Sequence, residues 1–310
     1  MREIVRQVAP PDFEVRFMDP ADSEEVRRLL PEADFLVTVA LPGDWVPLLR
    51  RCRLVQLQGV GFDGVDLDAL ERAGIPLAAT PEGTVIAVAE HTVLLILALY
   101  RRLIPVHESV RQGSFDPIGW RAGCHMLWGK VAGLVGFGRI GRQVARLLRA
   151  FNVEILYYDI LRAPPAVEQE LGALWTPFET LLSKADIVSV HLPLTPETYR
   201  IFDAAAFSRM KRGALFINTS RGGTYDMDAL YEALRSGHLG GAGLDVFDPE
   251  PPPPDHPLLQ LPNVILTPHM AAGTVEAHLQ KAQAQFENFR RVLRGEAPFH
   301  RIFREGVSPS

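Results

Sequence analysis

Short apolar runs rich in β-branched residues alternate with segments of helical spacing along nearly the whole chain, and no other feature constrains its fold as strongly. The candidate strands are residues 34–39, 54–57, 131–135, 154–158, 187–191, 215–218 and 264–266. Between them, residues 23–30, 67–73, 139–150, 177–183, 204–210 and 228–236 carry helical spacing or helix-start residues. The strands are continuously apolar, the pattern of strands buried on both faces. The expected class is therefore α/β, with doubly wound parallel sheets covered by helices on both sides.

Two sheets fit the pattern better than one. A long helix around residues 84–102 is followed by a weakly patterned stretch, 112–125, and a new strand–turn–helix unit begins at Lys130. Residues 1–97 are expected in one domain and 98–272 in a second. The helix 275–294, with Thr274 before it and Gly295 after it, comes too late to extend the second sheet, so 273–310 is assigned back to the first domain. The Pro-rich piece 249–257 reads as a rigid loop, because an apolar strand follows at once.

Composition narrows the function. With 310 residues, 47% of them hydrophobic, the chain can bury substantial cores. A net charge of −5 and the absence of a long basic run leave no footprint for nucleic acid or an anionic membrane. Cys52 and Cys124 have neither CxxC pairing nor metal-ligand spacing, so no metal and no disulfide scaffold is expected, and a reducing cytoplasm is the natural setting. The N-terminus lacks the apolar segment of a signal peptide. The most apolar stretch, 85–100, is short and interrupted by Glu90 and His91, so it reads as a buried helix of a soluble protein.

The unit beginning at Lys130 contains Gly136, Gly138 and Gly141 in GxGxxG spacing, after an apolar strand and at the start of an amphipathic helix. The first glycine permits a tight turn, the second lets the backbone approach a pyrophosphate, and the third allows close helix–strand packing. The helix N-terminus offers N–H groups and a positive dipole end to the phosphates. The next strand ends at Asp159, 18 residues after Gly141. A carboxylate there can accept the ribose hydroxyls of NAD and repel the extra phosphate of NADP. Arg162 close by pulls the other way, toward dual use; NAD is the expected cofactor.

Beyond this motif, seven blocks occur in order: QGVGFDGVD, VAEHTVLLILAL, GKVAGLVGFGRIG, DIVSVHLPLT, GALFINTSRGG, GLDVFDPEP and NVILTPHMAAGT. Together they resemble the D-isomer-specific 2-hydroxyacid dehydrogenases, a group that includes glyoxylate and hydroxypyruvate reductases and phosphoglycerate dehydrogenases. The resemblance implies a Rossmann-type NAD-binding domain, a flavodoxin-like substrate domain and an active site in the cleft between them. It also implies hydride transfer between nicotinamide and a small D-2-hydroxy or 2-oxo acid, and a homodimer. Three residues would carry the chemistry. His269 is the acid/base, since imidazole titrates in the useful range. Glu250 would hold the imidazole and raise its pKa. Arg221 would bind the substrate, its planar fork suiting a carboxylate and the C2 oxygen together. By the same resemblance the backbone of Gly59, Val60 and Gly61 holds the substrate carboxylate. Arg139, Ile140, Thr219, Ser220 and His269 join the glycines at the cofactor, Asp245 bonds the nicotinamide amide, and His191 and Pro193 shape the adenine side. Glu90 and His91 receive no catalytic role.

The chain departs from the family pattern at Thr84, where Asn is frequent, at Ala271–Ala272 in place of a glycine pair, and at Thr224–Tyr225 in place of an apolar pair. Gln58 and Gly59 stand where phosphoglycerate dehydrogenases carry an arginine. With the chain ending at Ser310, no regulatory C-terminal domain is expected, and phosphoglycerate is not the favoured substrate. Two other readings compete. A formate-dehydrogenase-like enzyme pairs its histidine with glutamine, against Glu250 here. An NAD-sensing corepressor-like binding protein can keep all three catalytic residues without turnover.

Overall fold

The computed structural model describes residues 2–303 and 306–307. The chain divides into two compact units, Met1–Thr84 with Gly273–Ser310, and Val85–Ala272. In chain order the strands are β1 (Phe35–Thr38), β2 (Leu54–Leu57), β3 (Leu77–Ala78), β4 (Val131–Val135), β5 (Glu154–Tyr158), β6 (Ala173–Trp175), β7 (Ile187–Val190), β8 (Leu215–Asn218), β9 (Gly241–Leu244), β10 (Val264–Leu266), β11 (Arg301–Phe303) and β12 (Gly306–Val307).

In the first unit the sheet order is β1-β2-β3-β11-β12. The first three strands are parallel, and β11 and β12 extend the sheet antiparallel. The α/β class holds; the antiparallel extension is an addition, made of strands too short to leave a pattern. One sheet face packs Val55, Leu57, Leu70 and Leu77 together. The other packs Leu54 and Ala78 against Phe286 and Phe289 of the Val275–Leu293 helix. That helix begins as the sequence implies, with the Thr274 side chain accepting from the Ala277 N–H.

The second unit has a seven-stranded sheet in the order β10-β9-β8-β7-β4-β5-β6, with every neighbouring pair parallel. Because β4 opens this sheet and the chain then runs outward on both sides, the order reverses between β4 and β7. A crevice at the strand C-termini follows there, the usual place for a ligand in such sheets.

The expected boundary at 97/98 lies instead at 84/85. The Thr84–Tyr100 helix packs Ala89, Val93, Leu95, Ile96 and Tyr100 into the core around β4, which ties it to the second unit. The same helix explains β9, a strand that its Gly-Ala-Gly-Leu sequence hides. A Cβ on Gly243 would lie 3.0 Å from Leu95 Cβ, and one on Gly241 3.2 Å from Leu99 Cδ2. The glycines let helix and sheet close up, and the residues that usually signal a strand would not fit. Among the described residues, no single helix is long and apolar enough to cross a membrane.

Candidate active site

The glycine turn sits at the C-terminal end of β4. Gly136 has φ +97°, a conformation that a side chain strains. Its added Cβ would also lie 2.6 Å from the His191 carbonyl oxygen at the end of β7. Gly141 packs so closely that a Cβ would meet Gly136 O. Gly138, in contrast, is exposed and its Cβ would meet nothing within 4 Å. It is the N-cap of the Arg139–Arg149 helix, and no side chain caps that helix. The first-turn N–H groups, including those of Arg139 and Ile140, are thus left to an external acceptor. Asp159 lies beside the turn, with Oδ2 accepting from Phe137 N–H at 2.7 Å. Arg162 is turned onto Glu168, Nε to Oε1 and Nη2 to Oε2 at 2.9 Å each. An open glycine cradle, an uncapped helix start and a carboxylate at the next strand end fit a dinucleotide.

The other expected cofactor residues fall into two groups. His191 follows β7 and bonds Ser189 Oγ through Nε2 at 3.0 Å. Burial pushes its ring down to about 3, so it is neutral, and its Nδ1 is sealed off without a partner. Pro193 is exposed. Thr219 is buried against Thr92, their hydroxyls 3.0 Å apart, and Ser220 donates to Asn218 Oδ1 at 2.8 Å. Asp245, expected at the nicotinamide amide, is wholly buried. Its carboxylate accepts from Thr267 Oγ1 at 2.5 Å, Met270 N–H at 2.9 Å and Ala271 N–H at 2.8 Å. It closes the turn that carries His269, whose N–H groups are otherwise unanswered.

That turn needs such support. His269 has φ +51°, in the left-handed region, which for a non-glycine residue costs about 1–3 kcal/mol. Its own N–H donates to Asp245 O at 2.8 Å. Behind Thr267 stands His91, for which no catalytic role is expected, with Nε2 3.0 Å from Thr267 Oγ1. The threonine has one hydroxyl proton and gives it to Asp245, so His91 Nε2 carries the hydrogen of this contact. Neither His91 nor Thr267 stood out in the sequence as a support. A polar helix residue inside the apolar 85–100 run was the available signal.

The three residues expected to carry the chemistry all lie in the second unit, and two of them, His269 and Glu250, are in contact. His269 Nδ1 is 2.8 Å from Glu250 Oε2, and Glu250 Oε1 accepts from Phe247 N–H at 2.9 Å. The hydrogen bond from Glu250 raises the His269 pKa most, against partial burial, and its charge adds to the rise. Burial pushes the Glu250 carboxyl up, but its bonds from His269 and Phe247 outweigh that and hold it below the usual range. The Arg221 charge is felt by both groups, lowering each. Arg221 follows β8, with Nη1 on Ser220 O at 2.7 Å. Its carbonyl is held by Asn218 Nδ2 and Thr224 Oγ1, and Tyr225 Oη donates to Val246 O at 3.0 Å. Thr224 and Tyr225, the departures from the apolar pair, thus fasten the Arg221 turn to the strand leading to Glu250.

In the first unit, Gly59, Val60 and Gly61 follow β2. Gly59 O accepts from Thr80 N–H at 2.8 Å, and a Cβ on Gly59 would meet nothing within 4 Å. Among the described residues, no acceptor engages the N–H groups of these three residues.

Comparison with known proteins agrees with this geometry. A sequence profile of the D-isomer specific 2-hydroxyacid dehydrogenase NAD binding domain matches residues 93–271. A glyoxylate reductase of Thermofilum pendens is 40% identical over 286 residues, covering 90% of this chain and 84% of its own. A D-3-phosphoglycerate dehydrogenase of Archaeoglobus fulgidus is 34% identical over 301 residues; the match covers 96% of this chain but only 56% of that longer protein. The apo structure of D-lactate dehydrogenase from Escherichia coli superposes with a TM-score of 0.85 at 30% identity, over 97% of this chain and 96% of that one. The chain belongs to the D-isomer specific 2-hydroxyacid dehydrogenases and is an NAD-dependent oxidoreductase of that family.

Proposed function

We propose that this enzyme reduces a small 2-oxo acid such as glyoxylate, and oxidises the matching D-2-hydroxy acid in reverse, with His269 as acid/base, Glu250 as its partner and Arg221 as the substrate clamp. The observation that carries the reading is the 2.8 Å contact of His269 Nδ1 with Glu250, which leaves Nε2 as the ring atom that exchanges a proton. Bound NAD supplies the hydride acceptor, and NADH the donor. Reduction also requires one proton at the substrate oxygen, and protonated His269 delivers it from Nε2. Glu250 stabilises the imidazolium and fixes the ring orientation. Arg221 binds the carboxylate and polarises the C2 carbonyl. The N–H groups of Gly59, Val60 and Gly61 are proposed to bind a substrate carboxylate.

The test is NADH oxidation with glyoxylate, hydroxypyruvate and pyruvate. Turnover of at least one supports the reading, and silence across a broad 2-oxo acid panel favours a protein that binds NAD without catalysis. On the same substrates NADH should outperform NADPH. Asp159→Ser should narrow the gap by removing a carboxylate that repels the 2′-phosphate. A wild type that prefers NADPH would mean that Asp159 does not read the ribose.

The chain is further proposed to act as a homodimer in a reducing cytoplasm. Cys52 and Cys124 are both free thiols, which supports the compartment. Phe115, Ile118, Met126 and Trp128 are strongly exposed along one stretch of the second unit, a surface suited to a second copy. Sedimentation should give about twice the 34.4 kDa chain mass, and Trp128→Glu should lower it. A monomer at micromolar concentration would refute the dimer.

A further inference from the structure

The Val275–Leu293 helix carries one charged side chain that nothing in the mechanism uses. Ala277, Lys281, Gln285 and Asn288 share the face turned to the first unit's core, at helical spacings of four, four and three. The positions on either side of Lys281 are fixed by contacts. A Cβ on Gly83 would lie 2.5 Å from Ala277 Cα, so the helix rests on that glycine. One turn beyond Lys281, Gln285 Nε2 donates to Gln58 Oε1 at 3.0 Å and to Thr80 Oγ1 at 3.4 Å, and Asn288 Nδ2 donates to Gln56 Oε1 at 2.9 Å. Lys281 therefore lies over the chain between Gly83 and the Gln58–Thr80 pair. Thr80 is the residue whose N–H holds the Gly59 carbonyl. The lysine is thus one helical turn from the residue that engages Gln58 and Thr80, the two residues next to or bonded to Gly59.

Its surroundings do not satisfy it. Lys281 is only 4% exposed, and among the described residues it makes no hydrogen bond or ion pair. Burial holds its ammonium below the usual range. Glu82, the acid of the nearby turn, has its Oε1 on His300 Nε2 at 3.1 Å. Four polar atoms on these segments are sealed without a partner, Glu82 Oε2, Thr84 Oγ1, His278 Nδ1 and His300 Nδ1. A lysine that merely covers apolar surface keeps its head in bulk water; this residue is 4% exposed, with some of that little exposure at its ammonium. A buried, unpaired ammonium opposes folding, and a methionine would fill the same space without that penalty. Such a group in a site is a mark of ligand recognition.

We infer that Lys281 is a specificity-determining residue that binds a second anionic group, a carboxylate or phosphate, on the far end of the 2-oxo acid. Gln285, one turn along the same helix face, takes up Gln58 and Thr80 beside the loop, so in this inference Lys281 reaches a group other than the C1 carboxylate. The inference rests on the proposed function and refines its substrate class.

The experiment compares kcat/KM with NADH for pyruvate, oxaloacetate and 3-phosphohydroxypyruvate in wild type, Lys281→Met and Lys281→Arg. Pyruvate has one anionic group, and the other two add a carboxylate or a phosphate. Wild type should favour at least one dianion over pyruvate. In Lys281→Met the ratio of kcat/KM for that dianion to kcat/KM for pyruvate should fall about tenfold or more, chiefly through KM. Lys281→Arg should recover part of the ratio. The thermal midpoint of Lys281→Met should not fall below wild type, since the variant removes a buried charge. An unchanged ratio, or an equal loss on all three substrates, overturns the inference while turnover of pyruvate keeps the proposed function standing. Failure of wild type to reduce any of the three while it reduces glyoxylate overturns the inference alone, and silence on glyoxylate and hydroxypyruvate as well overturns both.

Discussion

Glu250→Gln moves the alkaline limb of the reductive pH–rate profile to lower pH. Reduction needs His269 protonated, so activity is present below the His269 pKa and is lost as pH rises through it. In the wild type the hydrogen bond and charge of Glu250 hold that pKa above its ordinary value. Glutamine can still accept from Nδ1 but carries no charge, so the pKa drops and the limb follows. Oxidation needs the neutral ring, and its rise with pH should likewise begin earlier in the variant, with a lower ceiling because the imidazole is less well held. His269→Asn removes the proton donor itself and should cost about 10²–10⁴-fold in kcat/KM in both directions. NADH affinity, read by fluorescence, should be largely kept. An unshifted limb in Glu250→Gln would show that Glu250 does not tune His269, and the mechanism would need another partner.

Gly222→Ala, a single methyl group, should disable the site almost as fully. The added Cβ would lie 1.8 Å from Phe247 O and 2.0 Å from its carbonyl carbon. These are backbone atoms, which cannot turn aside as a long side chain can. Gly222 does not have a positive φ, so the substitution tests this contact and not backbone strain. The Arg221 turn must back away from the loop that bears Glu250, and the bonds that Thr224 and Tyr225 make there are disturbed. Overpacking of this kind costs about 3 kcal/mol. A shift of about 1 Å in a substrate clamp costs about 100-fold in rate. Thermal unfolding should show a clearly lowered midpoint, and kcat/KM should fall with NADH affinity nearly unchanged. A variant with wild-type midpoint and activity would show that the turn has slack the close approach denies.

Features that depend on neighbours along the chain are readable before any folding is known. The α/β class follows from strand–helix alternation, and the nucleotide turn from three glycines and an uncapped helix start within six residues. Arg221, Glu250 and His269 were legible as candidates because each follows or lies near a strand end in a family block. Local pattern was also what failed. Strand β9 lacks β-branched residues because Leu95 and Leu99 leave no room for them. The unit boundary was misplaced because helical spacing tells that residues 84–100 form a helix and not which sheet it covers.

Contacts between distant residues arise only when the chain is folded. His269 and Glu250 are 19 positions apart, and nothing between them specifies a 2.8 Å contact until β9, β10 and the proline loop are in place. His91 meets Thr267 across 176 positions, and so a helix residue supports the catalytic turn. Asp245 shows nothing in the sequence of the bonds it makes to the Met270 and Ala271 N–H groups, which exist only in the folded turn. Lys281 reads in the sequence as one more charge on an amphipathic helix, and its isolation appears only when that face is packed against the first sheet. Periodicity reports which side of an element is covered, while the partner across the gap is set by packing, where hydrogen-bond and ion-pair energies vary over ångströms.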